Sequence, residues 1–232
     1  MPDTPFSLPI SELNGINQGW KMRVLPQDSL RYCPASSGDW GIIRVGLLVP
    51  ESALLFVAPN GCGRHGAIAG LQKGFFERLF FLNTSETDLV SGNHLDLIPD
   101  AAREIMQNGP ADFKALLICA TCVDTLLASD YEAIAEELER ELDRSVKICY
   151  MNPITMDSRT PPPFTVQKAI YDFLHPSHHK SPSINIIGSY AGIMADSELH
   201  HVMKHEGFIE IKHVNDCQSY DEFQTMASSA LN

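Results

Sequence analysis

An α/β fold built on a mostly parallel sheet is predicted by three features of the sequence. Short apolar runs recur at 53–58 (ALLFVA), 79–82 (LFFL), 115–119 (ALLIC) and 146–150 (VKICY). Helical stretches separate these runs, and such alternation is the pattern of βα units around a parallel sheet. After a break rich in Pro, Ser and His, the same rhythm restarts at Ile184. The expectation is a Rossmann-like three-layer domain followed by the start of a second Rossmann-like domain.

In chain order, residues 1–37 are punctuated by Pro2, Pro5, Pro9, Pro26 and Pro34 and read as an irregular N-terminal arm. Asp39 to Leu48 offers Trp40, Ile43, Val45 and Leu47 for burial and reads as a short helix closed by Pro50. Residues 96–107 and 165–174 read as helices. Asp130 to Arg144 is the clearest one, with Ile134, Leu138 and Leu142 every four residues and Ser129 followed by Glu132 as a capping box. Beyond the break, 184–188 and 208–214 read as strands, and 197–205 and 219–230 as helices. The domain expectation is an arm over 1–37, a cluster-binding domain over 38–175, a linker over 176–183 and a partial second domain over 184–232.

Composition narrows the function classes. The 232 residues are 44% apolar and 20% charged, ordinary for a globular chain with a sizeable core. Lys and Arg number 17 against 29 Asp and Glu, a formal charge of -12, which argues against nucleic acid because phosphate backbones are bound through basic side chains. The N-terminal stretch has no basic, apolar leader, and no apolar run approaches the roughly 18 residues of a membrane-spanning helix. A cytoplasmic protein with no membrane partner is expected. There the six cysteines, Cys33, Cys62, Cys119, Cys122, Cys149 and Cys217, read as thiols, metal ligands or core fillers rather than disulfides.

The stretch Ala58-Pro-Asn-Gly-Cys-Gly-Arg-His-Gly66 concentrates chemistry at a strand's end. Gly61, Gly63 and Gly66 match the G-x-G-x-x-G dinucleotide pattern, but no acidic residue closes the next strand to hold a ribose. A second reading makes Cys62 a nucleophile activated by His65 and by a helix N-terminus that depresses its pKa. Cys119-Ala-Thr-Cys122 is a C-x-x-C, a redox dithiol or half a zinc site, although Cys119 and Cys149 suit core positions. His201 and His205 share a helix face without an accompanying carboxylate motif, and these, like His178 and His179, read as surface residues. Cys33, Cys62 and Cys122 each stand in a turn of small residues. Such turns let backbone approach an inorganic cluster, and thiolate is the usual ligand of iron–sulfur clusters. Three ligands leave a four-cysteine site one short.

The order Cys33-Pro-Ala-Ser36, Pro59-Asn-Gly-Cys-Gly-Arg-His65, Thr84-Ser-Glu-Thr-Asp-Leu-Val-Ser-Gly92 and Thr121-Cys-Val-Asp-Thr-Leu-Leu-Ala-Ser-Asp130 resembles the nitrogenase component 1 family. That family includes the molybdenum–iron protein subunits, cofactor-assembly scaffolds and protochlorophyllide reductase subunits. The resemblance runs from about residue 30 to the end, and Ile184-Asn-Ile-Ile-Gly188 looks like the family's second-domain opening. It implies that Cys33, Cys62 and Cys122 bind an iron–sulfur cluster, [4Fe-4S] or a larger P-cluster-like one, bridging two homologous subunits of a homo- or heterodimer. Gly61 and Gly63 would make room for it, with His65 beside it or merely polar at the helix start. An ATP-hydrolysing iron protein would deliver the electrons, in keeping with a sequence that has no G-x-x-x-x-G-K-[ST] loop of its own.

Departures temper what the resemblance implies. Family members are longer, with three Rossmann-like domains, and their downstream Cys and His ligands to the catalytic metal cofactor would lie beyond Asn232, so the chain reads as truncated relative to the family. Ala128-Ser-Asp130 replaces the usual Gly-Asp-Asp, and Asn60 replaces Val or Ile. Dinitrogen reduction is therefore not implied. The expectation is an iron–sulfur electron-transfer subunit of a nitrogenase-like oxidoreductase; the alternatives are a non-catalytic scaffold for cluster or cofactor assembly and a nucleotide-binding Rossmann enzyme.

Overall fold

The computed structural model describes residues 45–109, 112–152, 159–188 and 192–231. Four apolar runs become strands: β1 (Ser52–Ala58), β2 (Leu79–Asn83), β3 (Ala115–Thr121) and β4 (Ser145–Met151). They form one sheet in the order β2-β1-β3-β4, and every pairing is parallel. β1 and β3 are buried at every position, which is why they read as unbroken apolar runs instead of alternating ones.

Parallel strands need crossovers, and helices supply them: α1 (Asn60–Lys73), α2 (Glu86–Ser91), α3 (Asn93–Asn108), α4 (Cys122–Leu127), α5 (Tyr131–Leu142) and α6 (Pro162–Tyr171). On one face of the sheet, Leu55 and Val57 of β1 and Leu116 and Ile118 of β3 pack against Ile98, Ala102 and Ile105 of α3 and Tyr131, Ala135 and Leu138 of α5. α1 lies on the other face. A Cβ at Gly63 would stand 3.1 Å from Phe81 Cδ1, so glycine is what lets this helix approach β2. α6 packs against the edge strand β4.

A second sheet contains β5 (Ser181–Asn185), β6 (Glu210–Lys212) and β7 (Ser229–Leu231) in the order β6-β5-β7, also parallel. Its three strands among the described residues therefore repeat the order of β2, β1 and β3. α7 (Glu198–His205) precedes β6, and α8 (Tyr220–Gln224) precedes β7. The two sheets are tied at α8: Glu51 Oε2 accepts from the Tyr220 amide at 2.8 Å, and Gln224 Nε2 donates to the Phe173 carbonyl at 2.8 Å. Among the described residues, no helix is long and apolar enough to cross a membrane.

Several sequence expectations are corrected. The helix expected over 219–230 ends at Gln224, and a 3-10 turn over Thr225–Ser228 leads into β7, which three residues of local sequence could not announce. The strand expected over 184–188 lies at Ser181–Asn185, and the one expected over 208–214 shrinks to Glu210–Lys212. Pro182 disguised the first of these, since proline reads as a linker; it is tolerated where the β5–β7 register shifts between Ser181 and Ile184. The helix expected over 39–48 and the N-terminal arm fall, apart from residues 45–48, outside the described residues.

The cap of α5 is Asp130, whose carboxylate accepts from the Ala133 amide at 3.1 Å, instead of the expected Ser129. The shift of one residue follows from Ala128, which takes left-handed backbone to close α4 and leaves Ser129 as the link. Asp130→Ala is expected to lower stability by about 1 kcal/mol, read as an earlier midpoint in urea unfolding, with Ser129→Ala as the nearly silent control.

Candidate functional site

Strand order locates the site. From β1 the chain turns to β2 on one side and then recrosses to β3 on the other, so the crevice between the carboxyl ends of β1 and β3 is the topological switch point. Cys62 follows β1 in the first turn of α1, and Cys122 follows β3 as the first residue of α4. Both side chains are partly exposed. Burial first, and the neighbouring Cys122 second, push the Cys62 thiol above its ordinary pKa. The two thiols are thus within electrostatic reach of each other.

That shift opposes the nucleophile reading, which needs a depressed pKa; its causes are desolvation first and the Cys122 charge second. The phosphate-cradle reading also loses its loop. Only Pro59 separates β1 from α1, so Gly61, Gly63 and Gly66 lie inside the helix, and β2 ends in Asn83 rather than an acid. His65 falls within α1, its side chain outside the described set. Cys33 lies outside the described residues, and among those described no three His, Cys, Asp or Glu side chains converge as a metal site.

Two thiolates within electrostatic reach of each other repel, and a cationic group between them relieves that repulsion. One further feature of the surroundings fits an added group. Thr84 donates its amide to the Ala58 carbonyl at 3.1 Å, which sets it beside the end of β1, and its buried hydroxyl has no hydrogen-bond partner. Buried polar atoms are rarely left so.

The proximity has a measurable consequence. Because the Cys122 charge raises the Cys62 pKa, Cys122→Ala is expected to lower the pH at which Cys62 ionises. Cys62 should then be alkylated faster by iodoacetamide at a fixed near-neutral pH, measured by peptide mass spectrometry. An unchanged rate would mean that the thiols do not sense each other.

Sequence reasoning missed the side chains beneath Cys122. His94 is fully buried; its Nε2 stands 3.0 Å from Asp124 Oδ1, and its Nδ1 stands 3.2 Å from the Asp88 carbonyl. Asp124 Oδ2 accepts from the Thr121 amide at 3.3 Å, capping α4. The local signal was present, since Ser85-Glu-Thr-Asp88 and Thr121-Cys-Val-Asp124 are both capping boxes. The remaining cysteines serve packing: Cys119 and Cys149 are fully buried partners across β3 and β4, and Cys217 donates to the His213 carbonyl at 3.6 Å. His178, His179, His201 and His205 are exposed, as expected.

Fold and site together define a doubly wound parallel α/β protein with two thiols at its switch point. No family model matches the sequence, and no curated protein matches it. Solved structures do match: nitrogenase Cp1 at pH 5, with a TM-score of 0.62 and 18% identity, over 91% of this chain and 45% of that one. Nitrogenase Cp1 at pH 6.5 matches with a TM-score of 0.57 and 17% identity, over 91% of this chain and 43% of that one. The chain spans less than half the length of these neighbours, and the likeness is one of fold.

Proposed function

We propose that the chain is an iron–sulfur electron-transfer subunit of a nitrogenase-like oxidoreductase, with Cys33, Cys62 and Cys122 as thiolate ligands. The observation that carries this reading is the placement of Cys62 and Cys122 just beyond the carboxyl ends of the adjacent strands β1 and β3, at the switch point where α/β sheets bind their ligands. When bound, the cluster, [4Fe-4S] or a larger one, supplies one-electron redox chemistry. The chain's own residues do the rest: the thiolates hold, Gly61 leaves room, Thr84 offers an unused hydroxyl and His65 stands in the same helix.

The fold of nitrogenase Cp1 supports carrying over its kind of redox role. A homologous subunit is the proposed partner across the cluster, completing the ligand set. Exposed apolar side chains support it: Ile68 and Leu71 on α1, Val90 on α2, and Leu126 and Leu127 on α4, all on helices that leave the site end of the sheet. An ATP-hydrolysing iron protein is the proposed electron donor. A cytoplasmic setting would keep the thiols reduced. The division into an arm to residue 37, a cluster domain to 175, a linker over 176–183 and a partial second domain belongs to the same reading.

Anaerobic iron and sulfide analysis of the purified chain tests it, together with electron transfer from an ATP-dependent reductase. Bound iron that is reduced in the presence of ATP supports an electron relay. Iron that passes to an acceptor protein with no ATP-dependent reduction identifies the scaffold alternative instead.

A further inference from the structure

We propose that the buried His94–Asp124 pair is a clamp that positions the Cys122 thiol by fastening the start of α4 to the chain segment that follows β2. Its importance for function rests on the reading of Cys122 as a ligand. The clamp itself rests on geometry. Asp124 belongs to α4, two residues from Cys122, and one carboxylate oxygen caps that helix through the Thr121 amide. The other meets His94, thirty residues away in sequence and at the start of α3. The far nitrogen of His94 meets the carbonyl of Asp88, whose side chain caps α2 by accepting from the Ser85 amide at 3.0 Å and from Asn93 Nδ2 at 2.9 Å. One imidazole therefore joins two capping boxes that belong to neighbouring crossovers.

Both ring nitrogens face oxygen acceptors, a carbonyl and a carboxylate. Both side chains are almost completely buried, at 1% and 2% exposure. A buried pair of this kind holds one geometry because breaking it leaves an unpaired polar group. Much of the thiol's position is therefore set through buried residues that solvent barely reaches. Groups that orient metal ligands in this way change metal affinity by about 10–100-fold when removed.

Asp124→Ala and Asp124→Asn separate positioning from general stability. The amide of the Asn variant can still accept from Thr121 and can donate to the Nε2 of a neutral His94, whose Nδ1–H keeps the Asp88 carbonyl; every hydrogen bond survives without charge. The full-length metal-free chain is alkylated with iodoacetamide, and the ratio of Cys122 to Cys62 labelling is read by mass spectrometry beside circular dichroism. Iron retained per chain is measured in parallel. The expected result is a several-fold change in the ratio and about tenfold weaker iron retention for Asp124→Ala, with wild-type behaviour for Asp124→Asn. A folded Asp124→Ala protein with the wild-type ratio would overturn the clamp. Should that variant fail to fold, His94→Gln replaces it, because a single amide nitrogen cannot occupy the positions of both ring nitrogens that face the two acceptors; a wild-type ratio there also overturns the clamp. A shifted ratio in a chain whose wild type binds no iron would uphold the clamp and remove the cluster reading. Unchanged ratio and iron in an iron-binding chain would do the reverse.

Discussion

Iron retained after anaerobic reconstitution should fall by at least about tenfold when Cys62 or Cys122 is changed to Ala, since removing even the outer partners of metal ligands costs about 10–100-fold in affinity. The same loss is expected for Cys33→Ala. Cys119→Ala and Cys149→Ala serve as controls. Both of these thiols are fully buried, and burial pushes each well above its ordinary pKa, so neither is available as a thiolate. The five variants thus divide: Cys62 and Cys122, beyond the carboxyl ends of β1 and β3, and the proposed ligand Cys33 lose iron, whereas the two inside the sheet keep it. Iron retained at the wild-type level in all of the first three would sink the proposed function.

Phe56→Ala is expected to produce the largest loss of stability, about 3–5 kcal/mol. Phe56 is 1% exposed in the strand that begins the site. It pairs in register with Phe81 of β2 and with Cys119 of β3, and its ring lies 5.9 Å from that of Phe81. Truncation opens a cavity between two strands and α1, where backbone cannot collapse to fill it. Urea unfolding should show an earlier midpoint with an unchanged slope. Phe76→Ala is the contrast: that ring is 58% exposed, and a change within about 0.5 kcal/mol is expected. A Phe56→Ala midpoint equal to that of Phe76→Ala would contradict the placement of β1 at the centre of the sheet.

Legibility in the sequence followed how locally each feature is encoded. β1 and β3 were readable because strands buried on both faces leave continuous apolar runs, and β2 and β4, only partly buried, because their runs are still mostly apolar. α5 was readable from its period, although its cap moved from Ser129 to Asp130. The short elements of the second sheet were not: β6 and β7 have three residues each, too few for a pattern, and Pro182 masked the start of β5. At the site, the cysteines stood out by their small-residue surroundings. Which glycines make loops and which lie inside α1 did not, because one residue at Pro59 decides where the helix starts.

By itself the sequence determined the fold class, the four strands of the first sheet, and the two thiols at strand ends, since each rests on contiguous residues whose polarity or size is visible. Only the tertiary structure decided that β1 and β3 are neighbours, which brings Cys62 within reach of Cys122, and that His94 meets Asp124 thirty residues away. Strand order and a buried polar contact are properties of packing. They are settled by which faces must be covered and which buried groups must find partners, and no local pattern records either.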